Sequence, residues 1–543
     1  MLLPSNHSPM PKQKRVLILG AGPIGIEAAV ACSRSDFAVT LVERGDAIAS
    51  SVRDWGHCRL FSQNALNFSQ AGLAALAELG LPVPQKTFCP TGMEYIDTYL
   101  EPLTRWLEER EGSEILLSTT VLSVGRGSQL KGDQVEAASR AGTPFAALLA
   151  HSVTGNEWRA DGFAAVIDAT GSYGNGNPLG RGGTPAVGER KLRAEAVEAT
   201  QTEEAARAPR PAFFDGLPDV VGRHSLSFLP RHGARNVSIA IVGGGYSAAT
   251  VLRDVLELAA SRGNLYRYEV HWLLRKPGSV AEPYHEVADD PLPSRLQLVQ
   301  LANKVAGYTP GSLGGGGAGS YGGELGGTPI VHVHRGCAID SLMRAGDGKV
   351  TIKGTWERPM SLADIKRPSS MSTGAGGAER EADEGDEGGE GGEGGEGGEG
   401  GEGGEEAGGA DRYEYFELSV DTLVSQVGYR PSYDLVAEMR VHLCYESDGP
   451  MKLAAALKGG RVAAAGGAGA ASDCLQQAAP GPEQLKSPEP NFYVLGSKSY
   501  GRDPNFLLRT GHEQVAAVVG MLEEARSGVP FDQLGKPRVP DES

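Results

Sequence analysis

The sequence predicts an α/β protein with two three-layer domains, the second inserted into the first. Two stretches, 16–43 and 237–275, each have the pattern of a strand, a glycine-rich turn, a helix and a second strand. A strand, a loop and a helix at 491–525 then fit a return of the chain to the first domain. With 543 residues the chain is also too long for one ordinary hydrophobic core, so two or more domains are expected.

The first stretch carries a dinucleotide-binding pattern. An apolar run at 16–19 ends in a turn with Gly20, Gly22 and Gly25, and the second strand ends in Glu43. Gly20 permits the sharp turn, Gly22 lets the backbone approach a pyrophosphate, and Gly25 lets the helix lie close to the strand. The helix N-terminus would face the phosphates, and Glu43 would accept hydrogen bonds from ribose hydroxyls. The pattern predicts a Rossmann-like three-layer dinucleotide-binding domain; a glycine-rich turn without a ligand is the alternative.

The second stretch repeats this pattern with a change at its end. Its turn contains Gly243 and Gly245, Ala248 stands in the third position, and the strand after the helix ends in Arg275. A carboxylate there would repel a 2′-phosphate, whereas a guanidinium can bind it. The site is therefore expected to prefer NADPH to NADH, with an ordinary exposed cation at a strand end as the alternative for Arg275.

A polar and aromatic loop at 51–64 follows the second strand of the first domain. Ligands bind at the carboxyl ends of such strands, so His57, Arg59 and Asn64 are candidates for facing a cofactor or substrate. A loop that satisfies its own polar groups is the alternative for each of them.

The segment between the two patterns predicts a helix at 91–111 and then a small antiparallel meander. Pro102 is expected to kink or split the helix. Asp161 and Gly162 are expected to turn the chain before the last strand of the meander.

Two further strand ends are expected near the first turn. One strand closes on Thr170 and Gly171, small residues where the backbone has to pass a ligand closely. The C-terminal strand ends at Gly496, and a polar loop leads from it through Phe506 into a helix. This loop and the helix N-terminus are expected to meet the far end of a cofactor.

The charge and the cysteines exclude several classes of protein. The net charge is −17, but 379–411 holds fourteen acids and one base, so the remainder of the chain carries only −4. No basic stripe indicates nucleic acid, no apolar run is long enough for a membrane span, and the N-terminus lacks a secretory signal. A cytoplasmic protein with a small-molecule substrate is expected, and nothing indicates an oligomeric state.

The six cysteines do not form the pattern of a disulfide framework, because no two of them are close in sequence.

Two segments have low-complexity composition. One is the glycine-rich stretch 311–327, and the other is the acidic stretch 369–410, which contains GGE six times in succession. A segment without apolar residues cannot bury a core, so the acidic stretch is expected to be disordered. Both are interpreted as expansions of surface loops, with a cation- or partner-binding role as the alternative.

Two such patterns about 220 residues apart resemble the two-dinucleotide-binding-domain flavoproteins, which include the pyridine nucleotide–disulfide oxidoreductases and the flavin-containing monooxygenases. The resemblance implies that FAD binds in the first domain and NADP in the second, inserted one. The implied divisions are a flexible N-terminus at 1–15, an FAD-binding part at 16–190, an NAD(P)-binding domain at 225–435, and a helical segment with return to the FAD domain at 436–543. The implied cofactor-binding residues are Gly20, Gly22, Pro23, Gly25, Glu43, Arg44, Thr170, Gly171, Gly243, Gly245, Ser247, Ala248, Arg275, Gly496 and Phe506.

Three departures narrow the resemblance. The chain has no Cys-x-x-Cys pair, which excludes the dithiol relay of the disulfide reductases. The monooxygenase signature FxGxxxH begins at Phe214 and Gly216, but Val220 stands in the histidine position and the nearest histidine is His224. The aspartate expected after the C-terminal glycine is replaced by Ser497.

The predicted function is an FAD-dependent oxidoreductase that uses NADPH to reduce the flavin, with monooxygenation of a small molecule as one form. The alternatives are an NADPH-dependent flavin reductase or dehydrogenase with an organic acceptor, and a catalytically degenerate flavoprotein that serves as a nucleotide-binding module. The candidates for groups near the flavin ring are His57, Arg59, Asn64 and Asn505. Cys58, beside His57, is either an activated thiol or a plain loop cysteine. No metal site is expected.

Overall fold

The computed structural model describes residues 13–133, 137–201, 212–230, 234–262, 265–277, 283–287, 290–307, 329–357, 413–464 and 480–527. The low-complexity stretches 311–327 and 369–410 lie outside the described residues. The described chain forms two sheets with parallel cores, a smaller antiparallel sheet and the helices packed on them, which confirms the α/β prediction. None of the described helices combines the length and apolar character needed to traverse a lipid bilayer.

The strands fall into three sheets. In chain order they are β1 (Arg15–Leu19), β2 (Ala38–Val42), β3 (Ser113–Leu116), β4 (Thr119–Arg126), β5 (Phe145–His151), β6 (Glu157–Asp168), β7 (Phe213–Phe214), β8 (Asn236–Val242), β9 (Arg267–Leu273), β10 (Ile330–His334), β11 (Ala338–Arg344), β12 (Val350–Glu357), β13 (Tyr413–Val420), β14 (Thr422–Ser425) and β15 (Phe492–Val494). The first sheet has the order β3-β2-β1-β6-β5-β4, with β15 also paired to β6; the second has the order β10-β9-β8-β14-β7; the third has the order β11-β12-β13.

The helices pack mainly on the first two sheets. In chain order they are α1 (Pro23–Arg34), α2 (Ser50–Asp54), α3 (Asn64–Asn67), α4 (Gln70–Glu78), α5 (Gly92–Tyr95), α6 (Glu101–Glu108), α7 (Ala137–Gly142), α8 (Glu189–Gln201), α9 (Tyr246–Arg262), α10 (Pro293–Val305), α11 (Met451–Ala464), α12 (Pro482–Leu485) and α13 (Leu508–Ser527). The two glycine turns of the sequence lie immediately before α1 and immediately before α9.

The central strand of the first sheet is buried on both faces. Val16 and Ile18 of β1 point into one hydrophobic core, whereas Leu17 and Leu19 point into another on the opposite face, and all four are fully buried. Burial on both faces is typical of parallel strands within three layers. The first core also holds most of α1, which packs between the sheet and α13, and each fully buried aliphatic side chain contributes about 1.5–3 kcal/mol.

The meander is built differently from the expectation at Asp161 and Gly162. Instead of a turn there, β6 runs unbroken through both residues, and Gly162 adopts a positive φ of 86° beside a register shift in the β5–β6 pairing. Gly162 therefore forms a β-bulge, and the strand continues past it. The first half of β6 therefore pairs antiparallel with β5, and its second half pairs parallel with β1 and β15.

The helix expected at 91–111 forms in three joined parts. Thr91 caps α5 with a capping box, a π-helical turn follows at Ile96–Leu100, and α6 continues with Pro102 in its first turn. The proline lacks an N–H, so the irregular hydrogen bonding lies immediately before it. Met93 of α5 is 36% exposed and not part of the core.

The second sheet is entirely parallel, and the third covers one of its faces. β7 pairs with β14, so the second sheet begins before residue 225, the start predicted for its domain. Val242 and Leu273 of the second sheet pack against Ile352 and Val420 of the third in one hydrophobic core. At the C-terminus, β15 lies beside β6 in the first sheet, and α13 packs on α1.

Candidate functional site

The first glycine turn has the shape that only glycine allows. Gly20 has a φ of 91°, and a Cβ atom there would lie 2.9 Å from the carbonyl oxygen of Ala169. A Cβ at Gly25 would lie 1.8 Å from the carbonyl oxygen of Gly20. The N–H of Gly20 also donates to the carbonyl of Val42 at 2.7 Å, which ties the turn to β2. The turn therefore depends on glycine for its conformation at one position and for close packing at the other.

The N-terminus of α1 offers a place for an anion. Gly22 precedes the helix, Pro23 lies in its first turn, and no side chain caps the N-terminus. Apart from Gly22 and its chain neighbours, no atom of the described residues lies within 4 Å of the position that a Cβ at Gly22 would take. Open space in front of an uncapped helix N-terminus fits a pyrophosphate, because the helix N–H groups and the positive end of the helix dipole face it.

Glu43 is buried at the end of β2, and its carboxylate already has partners. Oε2 accepts a hydrogen bond from the N–H of Ala21 at 2.9 Å. Oε1 accepts from the N–H of Gly45 at 2.9 Å and from the hydroxyl of Ser50 at 2.8 Å. A carboxylate has about four acceptor positions, so a ribose hydroxyl can still be accepted. Besides its predicted ribose contact, Glu43 holds the glycine turn against β2.

The ends of β6 and β15 approach the same turn. Gly171 has a φ of 69°, and a Cβ there would lie 3.5 Å from the Oγ atom of Ser497. Gly496 has a φ of 73° and packs against Ile24 of α1. The exposed Arg44 approaches the loop after β6. The predicted cofactor residues of the first domain are thus brought together at one edge of the first sheet.

A buried ion pair that the sequence did not reveal lies under this edge. Nζ of Lys498 lies 2.6 Å from Oδ2 of Asp168 and 2.9 Å from Oγ1 of Thr170, and both charged side chains are at most 1% exposed. The Thr170 hydroxyl donates to Oδ1 of Asp168 at 2.7 Å. The ring of Tyr433 lies 4.8 Å from Nζ, and burial together with the Asp168 charge raises the pKa of Tyr433. Since Thr170 belongs to the predicted cofactor site, the pair positions that site.

The loop after β15 has its own hydrogen-bond network. Oε1 of Gln514 accepts from the N–H of Gly496 at 2.9 Å, and its Nε2 donates to the hydroxyl of Ser499 at 2.9 Å. The ring of Phe506 lies 5.4 Å from the ring of Tyr500. These contacts connect the loop to α13 and fix Gly496 beside the first glycine turn.

The second glycine turn is similar in path but has other supports. Gly243 has a φ of 134°, and a Cβ there would lie 2.1 Å from the carbonyl oxygen of Gln426. Its own carbonyl accepts from the indole N–H of Trp272 at 2.9 Å, and the carbonyl of Gly245 accepts from the hydroxyl of Tyr284 at 2.9 Å. No atom lies within 4 Å of the Cβ position of Gly245, so this turn also has open space for a phosphate.

The remaining residues predicted for the second turn lie around it. Ala248 is fully buried in α9, and Ser247 is half-buried in its first turn. Arg275 is exposed just after β9 and lines a cavity of about 660 Å³. Sequence reasoning missed Trp272 and Tyr284, because their contacts with the turn cross between separate elements.

The first pattern also matches a family model. Residues 15–64 match the model of the pyridine nucleotide-disulphide oxidoreductases. A search among curated proteins finds no match.

Solved structures share the fold over nearly the whole chain. The bacillithiol disulfide reductase Bdr (YpdA) from Bacillus cereus is 12% identical, with a TM-score of 0.50, and the match covers 95% of this chain and 100% of that one. The corresponding enzyme from Staphylococcus aureus is 12% identical, with a TM-score of 0.46 and coverage of 95% and 100%. Thioredoxin reductase from T. acidophilum is 12% identical, with a TM-score of 0.44 and coverage of 94% and 99%.

The family match, the second glycine turn and the shared fold agree with one another. Together they support the resemblance to the two-dinucleotide-binding-domain flavoproteins, and the match to the Bacillus cereus enzyme shows that the fold is shared. The family match is consistent with the predicted FAD and NAD(P)H cofactors, and the choice of NADP over NAD stays a prediction. The open, uncapped helix N-terminus at α1 and the open space at the second turn fit these two dinucleotides.

The loop at 51–64 packs against the second domain. The ring of Phe61 lies 5.9 Å from the ring of Tyr246, which starts α9. His57 is half-buried between the loop and the segment after β7, and burial lowers its pKa. Nε2 of His57 lies 3.2 Å from Sγ of Cys58. Burial raises the pKa of Cys58 to about 12, so this residue is a protonated thiol and does not fit the activated-thiol hypothesis.

His224, the histidine nearest to the imperfect FxGxxxH pattern, lies beside the phenylalanine of that pattern. The ring of His224 lies 5.2 Å from that of Phe214, and its Nδ1 accepts from the N–H of Asp219 at 2.9 Å. Burial lowers the pKa of His224 to about 4, with smaller contributions from neighbouring charges that include His57. The extra residues before the histidine therefore fold back and bring a neutral imidazole to the side of Phe214 and His57.

The other predicted catalytic residues have separate surroundings. Nη1 of Arg59 donates to the carbonyl of Cys89, and the guanidinium is about half exposed. Asn64 is buried and donates through Nδ2 to the carbonyl of Gln85 at 2.9 Å, whereas its Oδ1 has no hydrogen-bond partner among the described residues. Asn505 lies in the loop before α13, where its N–H donates to Asp503. Within the described ranges, none of the four candidates hydrogen-bonds to another, and their catalytic roles stay predictions.

Across the part of the chain that the structure describes, no group of three or more His, Cys, Asp or Glu side chains has an arrangement that could hold a metal ion.

Proposed function

We propose that the protein is an FAD-dependent oxidoreductase that is reduced by NADPH and passes the electrons directly to a small acceptor. The observation that carries the proposal is the pair of open glycine turns, of which the second is followed by Arg275 at the wall of a cavity. When bound, the two dinucleotides would supply the hydride and electron transfer. The chain itself would bind them, orient them and limit the access of water.

The proposed FAD site lies at the edge of the first sheet. The N-terminus of α1 would bind the pyrophosphate, and Glu43 would accept a hydrogen bond from the ribose while holding the turn. Gly171 would let the backbone pass close to the cofactor, Gly496 packs against Ile24 of α1, and Lys498 holds the strand end beside Thr170 and Gly171.

The proposed choice of NADPH rests on the charge at the end of β9. An arginine can form two parallel hydrogen bonds with a phosphate, and an exposed guanidinium at this end of a Rossmann strand would face the 2′-phosphate. NADH lacks that phosphate, so Arg275 would stabilise NADPH selectively.

The acceptor is proposed to reach the flavin without a thiol relay. The sequence has no Cys-x-x-Cys pair. Burial raises the pKa of Cys32, Cys58 and Cys337 to about 12, so none of these three is a thiolate at neutral pH. A quinone-like organic acceptor or molecular oxygen needs no such relay.

Monooxygenation of a small molecule is the second candidate, and one observation favours it. His224 lies beside Phe214 and so restores in space the histidine of the FxGxxxH signature. The neutral state of His224 and of His57 would let both imidazoles donate and accept hydrogen bonds near the point where the two domains meet.

The NADPH assignment is tested by replacing the arginine. Arg275→Ala is expected to raise KM for NADPH about tenfold or more and to leave KM for NADH nearly unchanged, because a charge-assisted phosphate contact is lost. Lys276→Ala is the matched control, since Lys276 is the next cation along the chain but does not line the cavity. Equal changes for NADPH and NADH would refute the phosphate role of Arg275.

The acceptor is tested on the purified flavoprotein. NADPH oxidation above the rate of free flavin would exclude a degenerate nucleotide-binding module. Reduction of added quinones, with release of peroxide when only oxygen is present, is expected for a reductase. Oxygen incorporation into a substrate, with little peroxide, would instead establish the monooxygenase.

A further inference from the structure

The cavity beside Arg275 is built from parts of the chain that are far apart in sequence. Its wall includes the segment after β9, the segment after β10, the connector that follows the first domain, and all three strands of the antiparallel sheet. The residues that bear on its chemistry are Arg181, Arg275, Asp340, Thr355, Tyr413 and Tyr415. A volume of about 660 Å³ lies within the range of small-molecule sites.

This cavity lies next to the second glycine turn. The N–H of Gly243 donates to the carbonyl of Leu273 at 3.1 Å, and a Cβ at Gly244 would lie 3.5 Å from a methyl group of Leu274. Arg275 is the next residue, and the N–H of Gly336 donates to the carbonyl of Lys276 at 3.0 Å. One short stretch of backbone therefore joins the turn that would hold the pyrophosphate to the cavity wall.

Arg181 is held at the cavity by a carboxylate and a hydroxyl. Its Nε and Nη2 donate to the two carboxylate oxygens of Asp340 at 3.0 and 3.3 Å, and Nη2 also donates to Oγ1 of Thr355 at 3.0 Å. Within the described part of the chain, no hydrogen bond uses Nη1, so one edge of the guanidinium stays available. The hydrogen bond that Arg181 donates to Asp340 is the main cause of the raised pKa of Arg181, and the charge of Tyr415 is a smaller one.

Tyr415 presents its ring to the same space. It projects from β13 and is 88% exposed, which is unusual for a large aromatic side chain on a sheet. A purine ring has a π-face that stacks on such an aromatic side chain.

We infer that Arg181 and Tyr415 complete the site for the adenosine 2′-phosphate, with Arg181 sharing the phosphate with Arg275 and Tyr415 stacking on the adenine. The inference rests on the proposed use of NADPH. Two guanidinium groups suit a phosphate dianion better than one, because each adds charge-assisted hydrogen bonds. Asp340 keeps Arg181 in place and lowers the net positive charge of the cavity when no phosphate is present. The connector and the antiparallel sheet thereby act in nucleotide selection.

The test is a calorimetric titration of the FAD-bound protein with adenosine 2′,5′-bisphosphate and with adenosine 5′-monophosphate, so that no turnover is needed. Arg181→Ala is expected to weaken binding of the bisphosphate about tenfold and to leave the monophosphate unchanged. Arg159→Ala is the matched control, because Arg159 is also exposed and paired with an aspartate, Asp161, but lies in the first sheet.

Tyr415→Ala is expected to weaken both nucleotides by a similar factor of about five or more, because both carry adenine. Tyr445→Ala is its control, since Tyr445 is fully exposed and does not line the cavity. Unchanged melting temperatures would show that each variant is folded.

The outcomes separate this inference from the proposed function. If the unmodified protein prefers the bisphosphate and Arg181→Ala keeps that preference, the role of Arg181 is wrong while NADPH use stands. If Tyr415→Ala binds both nucleotides like the unmodified protein, the stacking role is wrong. If the unmodified protein binds the two nucleotides equally, the NADPH assignment itself fails.

Discussion

The two glycine turns follow the same path but are held in different ways. The first is fixed by backbone and by a charged side chain, because Glu43 accepts from the N–H of Ala21. The second is fixed by aromatic side chains, because Trp272 and Tyr284 donate to the carbonyls of Gly243 and Gly245. One fingerprint in the sequence thus corresponds to two distinct supporting structures.

The strand ends beside the turns differ as well. Glu43 is 6% exposed, and its carboxylate accepts three hydrogen bonds from the protein. Arg275, by contrast, is exposed at a cavity. A buried carboxylate has to be satisfied by the protein before any ligand binds, because an unpaired buried charge is costly. An exposed guanidinium is satisfied by water and can exchange it for a phosphate. The first site is therefore pre-organised around the Glu43 carboxylate, whereas the guanidinium of Arg275 at the second site is open to solvent.

The largest expected effect comes from the ion pair under the first turn. Lys498→Met would leave Asp168 buried without its partner, which is expected to cost about 3–5 kcal/mol in the free energy of unfolding. It should also weaken FAD binding, since Thr170 loses the Nζ contact. Flavin release during chemical denaturation measures both effects.

The control for this variant is Lys353→Met, which breaks an exposed pair with Glu417 in the antiparallel sheet. Its expected cost is about 1 kcal/mol or less, with FAD affinity unchanged. A Lys498→Met protein that kept its stability and its flavin would show that the buried pair does not support the first site.

The next largest effect is expected at Gly25, the third position of the first glycine pattern, and is compared with Ala248, the third position of the second. Gly25→Ala would place a Cβ 1.8 Å from the carbonyl oxygen of Gly20, so the backbone has to shift, at an expected cost of about 1–3 kcal/mol and with loss of most bound flavin. Ala248→Gly makes the opposite change in the second turn and should cost about 1 kcal/mol through helix propensity, with the flavin content unchanged. Flavin absorbance per protein after gel filtration is the measurement.

Equal flavin content in the two variants would contradict this difference between the turns. It would mean that α1 can shift away from β1 in the Gly25→Ala variant while the proposed FAD site stays intact.

The elements of the fold that depend on local pattern could be predicted from the sequence. The strands of both turns, their glycines and the strand ends at Glu43 and Arg275 follow from periodicity and spacing within about 40 residues. The Asp161 and Gly162 positions show the limit, because a glycine with a positive φ can end a strand or only bulge it, and the pairing with β5 decides which.

The supports of the sites could not be predicted, because they join distant parts of the chain. Lys498 reaches Asp168 across 330 residues, and a lysine in a polar loop gives no sign of burial. Tyr284 contacts Gly245 from a separate loop. His224 is visible in the sequence as the histidine nearest to the FxGxxxH pattern, but its contact with Phe214 is not.

The smallest expected effect concerns the aromatic support of the second turn. Tyr284→Phe removes only the hydroxyl that donates to Gly245, so the turn loses one hydrogen bond of about 0.5–1.5 kcal/mol. KM for NADPH and for NADH should rise together by a few-fold, because the turn binds the pyrophosphate that both share, and the FAD content should not change. Tyr268→Phe is the control: this tyrosine is also buried in the second domain, but among the described residues its hydroxyl has no hydrogen-bond partner. A rise in KM for NADPH alone would place Tyr284 with Arg275 in recognition of the 2′-phosphate, and a loss of FAD would show that the two turns are not supported independently.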